Sequence, residues 1–117
     1  MAVSARKTFT LNLNTQFHRV YKSGKTCAMP TLVVYARKDG LPRNRVGITV
    51  SKKIGKATIR NRAKRRLREV YRTNLSGLCL GYDIVLVSRS RTPFAKYPRL
   101  VQDFLSAAKE VGVLKDA

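Results

Sequence analysis

Ten of the 21 residues from Lys52 to Arg72 are Lys or Arg, and the stretch carries one acid, Glu69. Cations at this density suit one kind of chemistry, the binding of phosphate. Lys52-Lys53-Ile54-Gly55-Lys56 reads as a basic loop. A helix over residues 57–75 follows, with Ile59, Ala63, Leu67, Val70, Tyr71 and Leu75 on one stripe. Asn61, Arg62, Arg65, Arg68 and Arg72 fall on the opposite side, and Arg60 lies near the stripe's edge. A merely solvated face mixes signs and gains i,i+4 pairs, whereas Arg62–Arg66 and Arg68–Arg72 repel. With Thr58 as the cap, Arg60 and Arg62 stand in the first turn, where each cation opposes the helix dipole by roughly 0.3–1 kcal/mol. Phosphates at that end would offset the cost, because free backbone N–H groups also point there.

Other chemistry is poorly supplied. The chain has six acids and one His. No acid pair is placed for two-metal catalysis, and His18 has no recognisable partner. A protein-only nuclease needs a carboxylate cluster, for which Asp83 and Asp103 are the only seeds. No catalytic residue and no protein-bound metal are therefore expected. Cys27 and Cys79 stand alone, without the spacing of a zinc site. They read as small buried hydrophobes in a reducing cytoplasm. Residues 1–10 lack the apolar run of a secretory signal, and no stretch is long and apolar enough for a membrane span.

The elements that must position these cations fit one domain spanning 1–117. Its 44% hydrophobic content supplies a core, and its net charge of +19 calls for a polyanionic partner. Residues 1–11 read as a basic arm, flexible over 1–8. Asn14 caps a short helix bearing Phe17, Val20 and Tyr21, and Gly24 stops it. Residues 31–37 and 45–51 alternate as strands and are expected to pair as an antiparallel hairpin across the 39–44 turn. Cys27 to Arg37 is long enough for one more short strand. Residues 82–89, with Ile84-Val85-Leu86-Val87, read as a central strand buried on both faces. A last helix begins near Pro98, carries Leu100, Val101, Phe104, Leu105, Ala108 and Val111, and ends at Gly112. The expected class is α+β, one small, mostly antiparallel sheet of about four strands packed with helices, in the order α-β-β-(β)-α-β-α.

Strand parity defines a second surface. With Leu32, Val34, Val46, Ile48, Val50, Ile84 and Leu86 facing the core, Val33, Tyr35, Arg37, Thr49, Ser51, Val85, Val87 and Arg89 share the other face. Phe17 and Tyr21 line its rim, or pack the first helix onto the sheet, or both. Aromatic platforms flanked by cations hold single-stranded nucleic acid. The basic helix is flanked by strands, which does not suit a helix-turn-helix DNA reader, and RNA fits better.

The residues also resemble a known family. Ser51-Lys52-Lys53-Ile54-Gly55-Lys56-Ala57 followed by Arg60-Asn61-Arg62-Ala63-Lys64-Arg65-Arg66-Leu67-Arg68-Glu69 is similar to the signature of the bacterial ribonuclease P protein component, whose hallmark is the Arg-Asn-Arg triplet. Phe17 to Gly24, Arg45 to Val50 and Tyr82 to Val87 resemble its first helix and the strands before and after the signature. The likeness spans residues 6 to 111. It implies a left-handed β-α-β crossover around the signature helix, against the usual rule. It implies a cytoplasmic protein that pairs with a large catalytic RNA and helps remove the 5′ leader of precursor tRNA. Magnesium ions would be held mainly by the RNA, with no membrane and no obligate protein partner. By the same likeness Lys52, Lys53, Lys56, Arg60, Asn61, Arg62, Lys64, Arg65 and Arg68 contact the catalytic RNA. Phe17, Tyr21, Val33, Tyr35 and Arg89 form the leader cleft. Where the family often has Ala-Arg-Lys, this chain has Ser88-Arg89-Ser90-Arg91, so Arg91 is a further leader candidate. The alternative is a ribosomal or architectural RNA-binding protein without a processing role.

Overall fold

Tyr82–Ser88 is the strand around which the other elements are arranged. The computed structural model describes residues 9–115, so the expected flexible arm over 1–8 lies outside the described residues. In chain order the elements are β1 (Phe9–Thr10), α1 (Asn14–Ser23), β2 (Lys25–Met29), β3 (Leu32–Lys38), β4 (Arg45–Thr49), α2 (Ala57–Thr73), β5 (Tyr82–Ser88) and α3 (Tyr97–Glu110). Single 3₁₀ turns at Lys52–Ile54 and Leu75–Gly77 bracket α2. The strands form one sheet in the order β1-β4-β5-β3-β2.

The expected hairpin between β3 and β4 does not form. β5 lies between them, antiparallel to β3 and parallel to β4. The physical reason is burial. Asp83, Ile84, Val85 and Leu86 are all buried, and a strand apolar on both faces must sit inside the sheet. α2 then carries the chain from β4 to its parallel neighbour β5. The sheet has five strands rather than four, and it is mixed, because β1 also pairs parallel with β4. β1 and Leu11 correct the reading of 9–11 as part of a loose arm. Leu11 is buried, its N–H donates to Val46 O at 2.9 Å, and Arg43 stacks over the Phe9 ring at 4.6 Å.

One face of the sheet carries the main core. Leu32, Val34, Ala36, Val46, Ile84 and Leu86 pack there against Leu67, Val70 and Tyr71 of α2 and Leu100, Phe104 and Ala108 of α3. Burial pushes the Tyr71 phenol up to about 12. α1 lies on the other face, where Val20 and Leu11 close over Val85, with Phe17, Tyr35 and Val87 partly buried around them.

Two glycines permit that second packing. A Cβ on Gly47 would stand 2.4 Å from the Phe17 ring. One on Gly24 would stand 2.6 Å from Val20 O and 2.8 Å from Ala36 O. Gly24 leaves α1 with φ −85, so close approach, not a left-handed turn, fixes it as glycine. Asn14 is already helical, and Leu13 occupies the cap position. Gln16 Oε1 accepts the Asn12 and Leu13 N–H groups at 2.8 and 3.0 Å and does the capping work expected of Asn14.

Buried polar groups tie the ends of the strands. Asn44 donates to Cys79 O and accepts the Tyr82 N–H, both at 2.8 Å, which fixes β4 beside β5. Asp83 takes a two-pronged contact from Arg45 at 2.8 Å. Burial pushes Asp83 upward, but hydrogen bonds from Arg45 and Asp39 and the Arg45 charge outweigh it and hold the carboxyl below its usual range. Neighbouring Asp39 is raised, first by burial and then by Asp83. Asp39 Oδ2 lies 3.8 Å from Arg45 Nε, so the two carboxyls share that guanidinium.

Candidate nucleic-acid interface

α2 begins one residue before the expected cap. Lys56 holds the cap position in an extended conformation, no side chain caps the helix, and its first turn contains no acid. Arg60 therefore stands beyond the first three residues, and Arg60 and Arg62 are not first-turn cations. The Arg60 backbone N–H already bonds Lys56 O at 2.9 Å. Its half-buried side chain turns back, donating from Nη1 to Gly55 O at 2.9 Å. Arg60 thus fastens the basic loop to the helix. Lys52, Lys53 and Lys56 on that loop are exposed.

The cations of α2 divide between two flanks and a crest. Lys64, Arg68 and Arg72 line one flank beside Tyr71. They face Leu11, Phe17 and Gly47 across a groove of about 480 Å³. Arg62 and Arg66 occupy the other flank, donating to Pro93 O (2.7 Å from Arg62) and to Ala95 O. Asn61 and Arg65 lie exposed on the outward crest. Arg65 and Arg68 have no side-chain hydrogen bond or ion pair among the described residues, so both guanidinium groups are free for phosphate. Glu69, the one acid of the helix, is held by Arg72 Nη2 at 2.7 Å.

The second surface is the part of the outer sheet face that α1 leaves open. Tyr21 meets Tyr35 edge to face, with ring centroids 4.9 Å apart, and its hydroxyl lies 2.8 Å from Thr49 Oγ1. Val33 and Thr49 both pair with Val87, giving a half-buried floor beside the tyrosines. Arg89 is exposed two residues beyond Val87, its Nη1 donating to Met29 O at 3.3 Å. Tyr21, Val33, Tyr35 and Arg89 thus share one face. Phe17 belongs to both surfaces, packing α1 onto Gly47 while its ring lines the groove beside α2. Arg91 is not with this set. It lines a separate groove with Phe94, Lys96 and Arg99. Strand parity places Thr49 on the face, but no sequence rule points to its contact with the Tyr21 hydroxyl.

The acids are engaged elsewhere. Asp103 is buried, accepting Thr31 N–H and Oγ1–H at 3.2 and 2.8 Å and Arg99 Nε at 3.1 Å. Asp83 serves Arg45. These two seeds of a carboxylate cluster are structural ties. Among the described residues no group of three His, Cys, Asp or Glu could hold a metal ion, and no helix is long and apolar enough to cross a membrane. Cys27 and Cys79 are half-buried rather than buried, and burial and then Glu110 raise the Cys27 thiol.

Known proteins share this sequence pattern and fold. The ribonuclease P family model matches residues 5–112. The ribonuclease P protein component of Natranaerobius thermophilus is 39% identical over 106 residues, covering 91% of this chain and 92% of its own. That of Alkaliphilus oremlandii is 40% identical over 107 residues, covering 92% and 94%. The Staphylococcus aureus RNase P protein superposes with a TM-score of 0.80 at 30% identity, over 93% of this chain and all of its own. The Thermotoga maritima protein gives 0.78 at 33% identity, over 87% and 96%. A match along nearly the whole chain, in sequence and in fold, places this protein in the ribonuclease P protein component family.

Proposed function

We propose that this chain is the protein subunit of a ribonuclease P ribonucleoprotein that matures the 5′ end of tRNA in the cytoplasm. The basic loop and α2 bind the catalytic RNA, and the Tyr21–Tyr35 face receives the 5′ leader of precursor tRNA. The observation that carries this is the separation of two surfaces. One is a helix with free guanidinium groups at Arg65 and Arg68; the other is an aromatic face with Arg89 at its edge.

Each surface has its own physics. Cations between two RNAs reduce phosphate repulsion, which allows a charged substrate to dock on a charged catalyst. The tyrosines offer π-faces to unpaired bases, each stacked base contributing about 1–3 kcal/mol. Hydrolysis of the phosphodiester is assigned to the RNA, together with the magnesium ions it needs. Four of the six acids are already engaged, Asp39 and Asp83 by Arg45, Asp103 by Thr31 and Arg99, and Glu69 by Arg72, and no group of three potential ligands gathers among the described residues.

The test is cleavage of precursor tRNA at low magnesium by the protein alone, a bacterial catalytic RNA alone, and both together. The expected result is cleavage only, or much faster, with both. Cleavage by the protein alone would support a protein nuclease. RNA cleavage that the protein does not stimulate would support the architectural alternative.

A further inference from the structure

The segment from Arg89 to Lys96 is held rigidly, yet it presents a large aromatic side chain to solvent. Thr92 is fully buried, its Oγ1 donating to Thr31 O at 2.5 Å and accepting the Arg89 N–H at 2.8 Å. The Phe94 and Ala95 N–H groups both bond Arg91 O, at 3.0 and 2.8 Å. From the other side Arg62 and Arg66 of α2 donate to Pro93 O and Ala95 O. Phe94, at the centre of this fixed turn, is 65% exposed.

A single exposed aromatic residue is unremarkable by itself. Its surroundings are not. Phe94 lines a groove of about 520 Å³ with Arg91, Lys96 and Arg99, and no acid lines it. Asp103, which pairs with the groove's Arg99, is 2% exposed and also holds Thr31. The groove therefore joins a preorganised π-face to three cations, the combination that holds an unpaired nucleotide through stacking and phosphate contact.

We infer that this groove takes an unpaired nucleotide of the catalytic RNA, stacked on Phe94, with Arg91, Lys96 and Arg99 facing its phosphates. The inference rests on the ribonucleoprotein reading above. Position selects the catalytic RNA over the leader. The groove is continuous with the signature helix through the Arg62 and Arg66 bonds. Its other side is lined by Pro30 and Thr31 of the β2–β3 turn, which Thr92 grips, and Tyr21, Val33 and Tyr35 do not line it. The groove then extends the α2 surface around its second flank.

The chain has no Trp, so Phe94→Trp creates a single fluorescent reporter at the platform. Titrating this variant with catalytic RNA is expected to quench its emission, and a single-stranded leader oligonucleotide is expected not to. Phe94→Leu keeps the apolar bulk but removes the π-face, and should weaken catalytic-RNA binding roughly tenfold. Phe94→Tyr should bind like the wild type. Unchanged circular dichroism shows that the variants are folded. Emission indifferent to catalytic RNA, quenching by the leader oligonucleotide instead, or a Phe94→Leu affinity equal to wild type each overturns the inference. If Arg65→Ala/Arg68→Ala weakens binding while Phe94→Leu does not, only this inference fails. If wild-type protein does not bind the RNA, the ribonucleoprotein reading fails with it.

Discussion

Neighbouring arginines on α2 do different work. Arg60 and Arg62 each spend a donor on a backbone carbonyl, whereas Arg65 spends none. The hallmark triplet is visible in the sequence, but this division is not, because Gly55 O and Pro93 O reach the helix only in the fold. The same holds for Asp83, which a sequence reader sees as a possible catalytic acid and the structure ties to Arg45. Asp83→Asn leaves the largely buried Arg45 guanidinium with only the more distant Asp39, at 3.8 Å, and is expected to cost about 3 kcal/mol, measured by urea unfolding at pH 7. The pH dependence follows. The Asp83 carboxyl is depressed in the folded protein, so its contribution is present above the usual carboxylate range and lost as pH falls through the folded value. Asp39, being raised, works in the opposite direction and weakens the fold as pH rises through its folded value. Asp39→Asn is therefore expected to leave stability at pH 7 equal or higher, while Asp83→Asn flattens the acid limb of the stability profile.

Among the elements, β5 was the most legible and the hairpin the least. Ile84-Val85-Leu86-Val87 announces a central strand by composition alone. The proximity of β3 and β4 in sequence suggested direct pairing, but central burial of β5 overrides proximity, and the α2 crossover makes the parallel pair possible. β1 has two residues and no periodicity to detect, and the buried ties of Asn44 and Thr92 join positions 35 and 61 residues apart. The face shared by Tyr21, Tyr35 and Arg89 was legible because strand parity is a local rule. Arg91 left that set because the pinned turn after β5 carries it past the β2–β3 turn, which no periodicity describes. On α2 itself, Arg65→Ala/Arg68→Ala should leave the urea midpoint unchanged. It should lower the slope of log Kd for catalytic RNA against log salt by about 1.5, since each lost phosphate contact removes ~0.7–0.9. A full slope with both arginines gone would mark them as a solvated face. At the join between α1 and the sheet, Gly47→Ala pushes the Phe17 ring out of its seat. A loss of about 1–3 kcal/mol is expected in urea unfolding.

For the whole molecule, a charge of +19 is a liability to folding and an asset to assembly. The fold places α2 and α3 on one side of its sheet and α1 with the aromatic face on the other. Asp39, Glu69, Asp83 and Asp103 serve as ties for arginines and backbone. On the proposed reading, catalytic-RNA binding and leader binding are separable functions of these two sides. That separability is tested most directly by Tyr21→Ala/Tyr35→Ala in the reconstituted holoenzyme, through the affinity gain that a leader gives precursor tRNA over the same tRNA without one. The gain is expected to fall roughly tenfold while affinity for the catalytic RNA is unchanged. An intact leader-dependent gain, or an equal loss of catalytic-RNA affinity, would contradict it.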